Sequence, residues 1–485
     1  MGKLWNFFKH NLLKIGISFL LVFIAWYPKL PSVHIPHTWV YIRLEDFSIL
    51  LVVGIWFIEL LLRRTKLPAK IWLTFPFYWG IGLISLVLSL IFIGPHLANF
   101  FPNVAVLYYI RHIEYLILFF VAFSTIKSVK DIKDYLIILL ITVLGFSLYA
   151  FGQRFYLDAW AAFPKFFEKF PYCFPSFQTG NEEFAKGIPL CLPKDARITA
   201  TFAGHYDLAG YLVLIIPILT AMFLFVKKRI YQIVGLIVTL MSIMVLIFTA
   251  SRISFVAYLL GLTVTLIFLK RKKLIIPFYI LSVVLLLIFS GSTAKRFMET
   301  FRFMSVVTNN QGQVVGQLPS SLQGRISNNV IENVPTQALP VGSGFLGLPQ
   351  LTAPLKTNQA VVQSALSIEQ AKKLKLENGG VEISTISGSF LVRKVLVYDI
   401  SFTTRFQAEW PNAWKAFLRD PPFGSGFATV TLAVDNNFLR ILGETGLLGM
   451  ISFLSIFFVL ALLLKQALSS IEDKITRAFL LGLIG

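Results

Sequence analysis

The sequence predicts an all-α polytopic membrane protein of about 11 to 12 transmembrane helices, and three observations carry that prediction. Of 485 residues 56% are hydrophobic and only 14% charged, whereas a soluble domain carries roughly a quarter of its residues as Asp, Glu, Lys and Arg. The apolar residues gather in runs close to the roughly 20 residues that span a bilayer. The basic residues behind the net charge of +20 fall in short clusters between those runs. A nucleic-acid surface would instead collect its cations on one face of a folded domain, so no nucleic-acid partner is expected.

The first run, 12–28, follows MGKLWNFFKHNLLKIG, and no small-residue cleavage site succeeds Trp26-Tyr27-Pro28. It reads as an uncleaved first span. Runs at 44–62, 71–93, 104–126 and 134–156 complete helices 1–5 of an N-terminal region, 1–156. Helices 6–9 follow within 206–290, at 206–226, 231–249, 253–269 and 274–290. The region 438–485 holds a tenth run, 438–464, and an eleventh that begins near Arg477 and is expected to be cut short.

Sidedness follows from the short loops, because Lys and Arg accumulate on the cytoplasmic side. One alternate set of connections carries twenty Lys and Arg, the other only Lys29, Arg43 and Arg252. The N-terminus is therefore expected inside, in a multi-pass plasma (inner) membrane protein. Two long hydrophilic segments, 157–205 and 291–437, are then extracytoplasmic. The first is aromatic and Pro-rich, suited to the membrane interface. It holds both cysteines, Cys173 and Cys191, where a disulfide can persist, though two free thiols fit equally. In the second, 305–380 is poor in aromatics, which leaves poor order or a small appended β-rich piece open. An amphipathic helix is expected near 402–419, closed by Pro421-Pro422 and a Gly turn.

Several motifs carry nothing. Gly342 to Gly347 matches GxGxxG without a strand-to-helix context, and no P-loop, HExxH or GxSxG occurs. His34 and His37 lack further ligands nearby, so no metal and no cofactor is expected. What remains gathers at the outer ends of spans. Arg197 and His205 flank the start of the sixth span, Arg252 lies in the turn between the seventh and eighth, Arg405 opens the amphipathic helix, and Asp435-Asn436 precede the tenth span. Singly, each arginine could snorkel to headgroups and Asp435 could be a helix N-cap. Together, guanidinium groups and an acid on one side suit a pyrophosphate, which arginine pairs bidentately. A further group, Arg111, His112 and Glu114, lies inside the fourth span, where Arg111 and Glu114 at i, i+3 could neutralise one another or line a transport path.

The strings TFAGHYDLAGYL, TASRISF, RFQAEWPNAWKAFLRDPPFGSGF and DNNFLRILGETGLLG resemble the signature regions of the O-antigen ligase and polymerase superfamily of membrane glycosyltransferases, over about 190 to 450. The resemblance implies a GT-C-like helical fold. It also implies metal-independent transfer of an undecaprenyl-diphosphate-linked glycan to a glycan, lipid or protein acceptor at the outer face of the membrane. On that likeness Arg252 and Arg405 hold the donor's pyrophosphate, Arg197 lies at its edge, and Asn436 and Glu444 support the site. Asp435 stands where the lipopolysaccharide ligases carry the histidine taken as base, and His205 is the alternative base. Ligase and polymerase both remain open, and a transporter or flippase of a lipid-linked or anionic solute is the rival from another class.

Overall fold

The computed structural model describes residues 2–38, 41–65, 67–68, 71, 73–97, 100–170, 174–176, 190–192, 196–289, 301–309, 314–317, 330–337, 350–351, 356–357, 383–398, 409–430 and 436–485. They form two compact units, Met1–Lys295 with Glu409–Gly485, and Arg296–Ala408.

The first unit is helical. Helix α1 (Gly2–Trp26) passes through a hairpin, β1 (Pro31–Val33) and β2 (Ile42–Arg43), into α2 (Leu44–Leu61). Helix α3 (Thr74–Leu88) runs on through a wide π turn (Ser89–Ile93) and a 3-10 turn (Gly94–His96). Helices α4 (Pro102–Thr125) and α5 (Val129–Ala162) precede a short ladder of β3 (Pro175–Ser176) with β4 (Leu190–Cys191). Then come α6 (His205–Phe225), α7 (Arg229–Phe248), α8 (Arg252–Phe268) and α9 (Ile275–Phe289). Beyond the second unit lie α10 (Trp410–Arg419), α11 (Asn437–Ser470) and α12 (Lys474–Gly482).

All ten apolar runs are helices. Seven helices among the described residues are long and apolar enough to cross a membrane, over Thr74–His96, Pro102–Thr125, Val129–Ala162, His205–Phe225, Arg229–Phe248, Lys272–Phe289 and Asn437–Ser470. The apolar parts of α1 (Asn11–Trp26) and α8 are shorter, and α2 carries Glu45, Asp46 and Glu59.

Helix α5 exceeds the expected run at both ends. Ser128 and Asp131 cap it reciprocally, each side chain accepting the other's amide proton. At the far end Ala159, Ala161 and Ala162 continue the helix into what the sequence assigns to the loop 157–205, until Pro164 stops it. The cap of α11 is also reassigned. The Asn436 side chain accepts from the amides of Phe438 and Leu439, so the cap is Asn436 rather than Asp435, which lies outside the described residues.

Outward-facing side chains are apolar, with Leu50 67% exposed and Phe458 66%. Inward-facing ones include many hydroxyls: Thr142, Thr220, Thr239, Ser242 and Ser282 are buried and each donates to the carbonyl four residues back. Lipid tails solvate Leu as well as a core does, so the interior is chosen for close approach and for satisfied hydrogen bonds. That inside-out pattern suits hydrocarbon as solvent.

In the second unit, β5 (Phe301–Asn309), β6 (Val314–Gln317), β7 (Val330–Gln337), β8 (Gln350–Leu351), β9 (Lys356–Thr357) and β10 (Ile383–Tyr398) form one sheet of order β10-β5-β6-β8-β7-β9. Strand β10, rich in β-branched and aromatic residues, pairs antiparallel with both β5 and β7. The sheet therefore folds back on itself. The described parts of 305–380 are strands.

Candidate functional site

Five helices, α2, α4, α6, α8 and α11, begin at one end of the bundle, and the non-helical segment Ala196–Gly204 lies across it. Gln153 on α5 holds the middle of this segment. Its Oε1 accepts the Ala200 amide at 2.8 Å, and its Nε2 donates to the carbonyls of Ala200 and Pro175, each at 3.1 Å. The Thr201 hydroxyl donates to the Ala25 carbonyl at the end of α1, and the Ile198 amide donates to the Phe248 carbonyl at the end of α7, at 3.3 Å. Ala200, with φ 47°, occupies the left-handed region that a Cβ disfavours. The two Gln153 bonds secure it there.

This stitching brings Arg197 and His205 together and sets their segment beside the helix end that leads to Arg252. Arg197 precedes Ile198, and its Nη1 lies 2.9 Å from His205 Nε2. Arginine has no acceptor, so His205 Nε2 must accept. That nitrogen's lone pair is committed to Arg197, which makes His205 a holder of the arginine rather than a base through Nε2. Arg252 opens α8 four residues past Phe248, after a tight turn in which Ala250 takes φ 54°. Its position at a helix N-terminus adds the favourable end of the helix dipole for an anion.

A third arginine joins this end that the sequence analysis missed. Arg154, next to Gln153, places its guanidinium 5.8 Å from the centre of the Phe248 ring. The only signal was an arginine and a glutamine at the end of an apolar run. A charge count confined to loops passes over both.

Glu444 belongs to a second cluster, built on α3, α4 and α11, whose first turn Asn436 caps. Glu444 is 1% exposed. Its Oε1 accepts from Arg440 Nε at 3.2 Å and from the Ala428 amide at 3.1 Å, while Arg440 lies 4.6 Å over the Tyr108 ring. The helix breaks two residues on, at Gly446 (φ 68°, ψ −166°). The break frees backbone groups, and the Pro421-Pro422 to Gly426 loop satisfies them. The amides of Ser425 and Gly426 donate to the carbonyls of Gly443 and Glu444, each at 2.9 Å. The carbonyls of Pro421 and Pro422 accept from Leu447 and Leu448 at 2.8 and 3.1 Å, and Ser85 Oγ donates to the Glu444 carbonyl at 2.5 Å. The two strings PPFGSGF and ETGLLG are thus complementary halves of one joint.

A polar band runs between the clusters. Asp207, on the first turn of α6, lies within electrostatic reach of Arg43 and Lys29. Lys29 pairs with Glu45, which Arg43 also contacts at 3.1 Å. Arg111 on α4 donates to the Tyr41 carbonyl at 2.8 Å and stands 3.6 Å from Asp46. The expected Arg111–Glu114 neutralisation is thereby corrected: the carboxylate that pairs with Arg111 is across the helix interface, on α2. Burial next to lipid favours a partner that also closes α2 on α4. His112, one residue on, bonds to the Tyr108 carbonyl and packs its ring 5.2 Å from Phe427.

Arg405 and Asp435 lie outside the described residues, as does Cys173. Cys191 registers with Pro175 in the β3–β4 ladder. Among the described residues no group of His, Cys, Asp and Glu could hold a metal, and His37 stacks flat on Phe101 at 4.0 Å. The arrangement around Phe248 can gather positive charge at one end of a helical bundle. No protein-family model matches the chain, and no curated protein matches it.

Proposed function

We propose that the chain is a membrane glycosyltransferase that moves a polyprenyl-diphosphate-linked oligosaccharide or polysaccharide to an acceptor at the outer face of the plasma membrane. In this reading the bundle has eleven to twelve spans in a GT-C-like arrangement, with a cytoplasmic N-terminus. The observation that carries it is the meeting at Phe248 of the Arg154 guanidinium, which faces its ring, with the segment that carries Arg197, bonded to its carbonyl through Ile198, and the turn that leads into Arg252. A diphosphate leaving group departs as an anion, and fixed guanidinium groups that hold it more tightly as the bond breaks lower the barrier. The acceptor oxygen attacks the anomeric carbon, the carbon–oxygen bond to the diphosphate breaks, and the acceptor proton goes to a carboxylate. With His205 Nε2 engaged by Arg197, Asp435 is the base of this proposal. A transporter or flippase has less support, since Arg111, counted toward its path, serves to join α2 to α4.

The test is reconstitution with a polyprenyl-diphosphate oligosaccharide and candidate acceptors. Arg252→Ala and Arg154→Ala should each lower transfer by about 10²-fold, the usual cost of one preorganised donor to a developing charge. Asp435→Asn should leave donor binding and abolish transfer. Full transfer by all three variants would overturn the assignment, and solute flux without a new glycosidic bond would favour the transporter.

A further inference from the structure

The end of the bundle opposite Arg197 and Arg252 carries a cavity of about 570 Å³, where α6, α8 and α12 meet. Five cations line it: Lys227 after α6, Lys270 and Arg271 after α8, and Lys474 and Arg477 on α12. No carboxylate lines it, and among the described residues none of the five is paired with one. The nearby acid Asp473 is spent on Lys133, at 2.7 Å, and on capping α12. The inner wall is apolar, from Phe225, Phe268, Leu269 and Leu481, and continues into a small buried cluster of Ala221, Leu269 and Ala478. Arg271 holds its guanidinium 6.0 Å over the Phe225 ring, at the boundary between the two characters.

Five like charges around one cavity repel one another unless an anion joins them. The Lys and Arg bias of the loops assigns this end to the cytoplasm, so the cations stand at the level of the inner leaflet's headgroups. A basic pocket between helices with apolar walls suits a phosphate head bearing acyl chains. We infer that this cavity is a binding site for an anionic phospholipid, whose headgroup phosphate is held by Lys227, Lys270, Arg271, Lys474 and Arg477 while an acyl chain lies along Phe225 and Leu269. The inference is independent of the glycosyltransferase reading, because it concerns the other end of the bundle.

The experiment places the full chain in phosphatidylcholine nanodiscs doped with phosphatidylglycerol, extracts it into mild detergent and counts retained lipids by native mass spectrometry. Wild type should retain one phosphatidylglycerol. Each cation near a membrane surface is worth about fivefold in affinity, so Lys270→Gln/Arg271→Gln should lower retention by about 25-fold. Arg477→Gln alone, at an exposed position where folding is not at risk, should lower it by about fivefold. Lys127→Gln/Lys130→Gln, which removes two charges from the same end outside the cavity, should have no effect. Equal losses in the control and cavity variants would overturn the proposal in favour of general attraction to the leaflet. Displacement of the lipid by millimolar inorganic phosphate would also overturn it, since the site would then take a free anion rather than a lipid.

Discussion

Glu444 offers a quantitative test of the joint between α11 and the Pro421–Gly426 loop. Its carboxylate is the acceptor for both Arg440 and the Ala428 amide. Glu444→Ala strands a largely buried guanidinium, a loss of about 3–5 kcal/mol for a broken internal pair. Arg440 keeps its place over the Tyr108 ring, and because a desolvated cation–π contact is worth about 2 kcal/mol, the charge part falls near the lower figure. The orphaned Ala428 amide adds about 1–3 kcal/mol. The expected total is about 4–6 kcal/mol, a large share of the about 5–15 kcal/mol that keeps a whole domain folded. Glu444→Gln retains an oxygen for the Ala428 amide and gives up only the charge, for about 2–3 kcal/mol. Arg440→Met/Glu444→Leu removes both charges together and should lie within about 2 kcal/mol of wild type. Reversible unfolding in mixed micelles against SDS mole fraction, followed by tryptophan fluorescence, ranks the three. The reasoning is refuted if Glu444→Ala is no less stable than Glu444→Gln, or if the double variant is as unstable as Glu444→Ala.

Gly426→Ala should also be destabilising, by a different route. At φ 93° a Cβ is strained, and the added atom would stand 1.9 Å from Ser89 Cβ in the π turn of α3, so a loss of about 3 kcal/mol or more is expected in the same assay. At the end of the bundle where α12 begins, burial works against ionisation of Asp473. The hydrogen bonds from Lys133, the Thr476 amide and the Thr476 hydroxyl outweigh it and hold the carboxyl down to about 2. A folded value below the ordinary one gives stability that is complete above about pH 4 and lost as pH falls toward 2. Acid titration of unfolding should show that slope in wild type and a shallower one in Asp473→Asn, because other paired carboxylates, such as Asp131 with Lys14, also protonate in acid, while Asp473→Ala costs about 1 kcal/mol at neutral pH through loss of the cap.

Much of the first unit was legible because hydropathy and charge act locally. A run such as 206–226 announces a helix by composition, since hydrocarbon leaves the backbone no alternative, and the clusters Lys227 to Arg229 and Lys270 to Lys273 mark one side without any contact being known. Arg197, His205 and Arg252 were legible for the same reason, because topology alone sends them to one end. Their grouping with Arg154 was not. It depends on a loop crossing three helix ends through Ile198, Ala200 and Thr201, and hydrogen bonds between residues 47 or 176 positions apart leave no periodicity to read.

The strained positions make that limit physical. Ala200, Ala250 and Ala428 all take left-handed φ values, 47°, 54° and 61°. Left-handed backbone costs an L-residue about 1–2 kcal/mol, a cost that glycine would escape, so a sequence reading for turns finds no glycine at the strained position itself in ITATF, TASR or FATV. Two are held by a distant partner, Ala200 by Gln153 and Ala428 by Glu444, while Ala250 is held by a local turn bond to the Ile247 carbonyl. Strain of this kind persists only where surrounding bonds over-determine it. Two of the three turns stand within three residues of a predicted arginine, Ala200 after Arg197 and Ala250 before Arg252. The arginines were readable as charges. What fixes them in place is a strained backbone whose supports, Gln153 above all, were not.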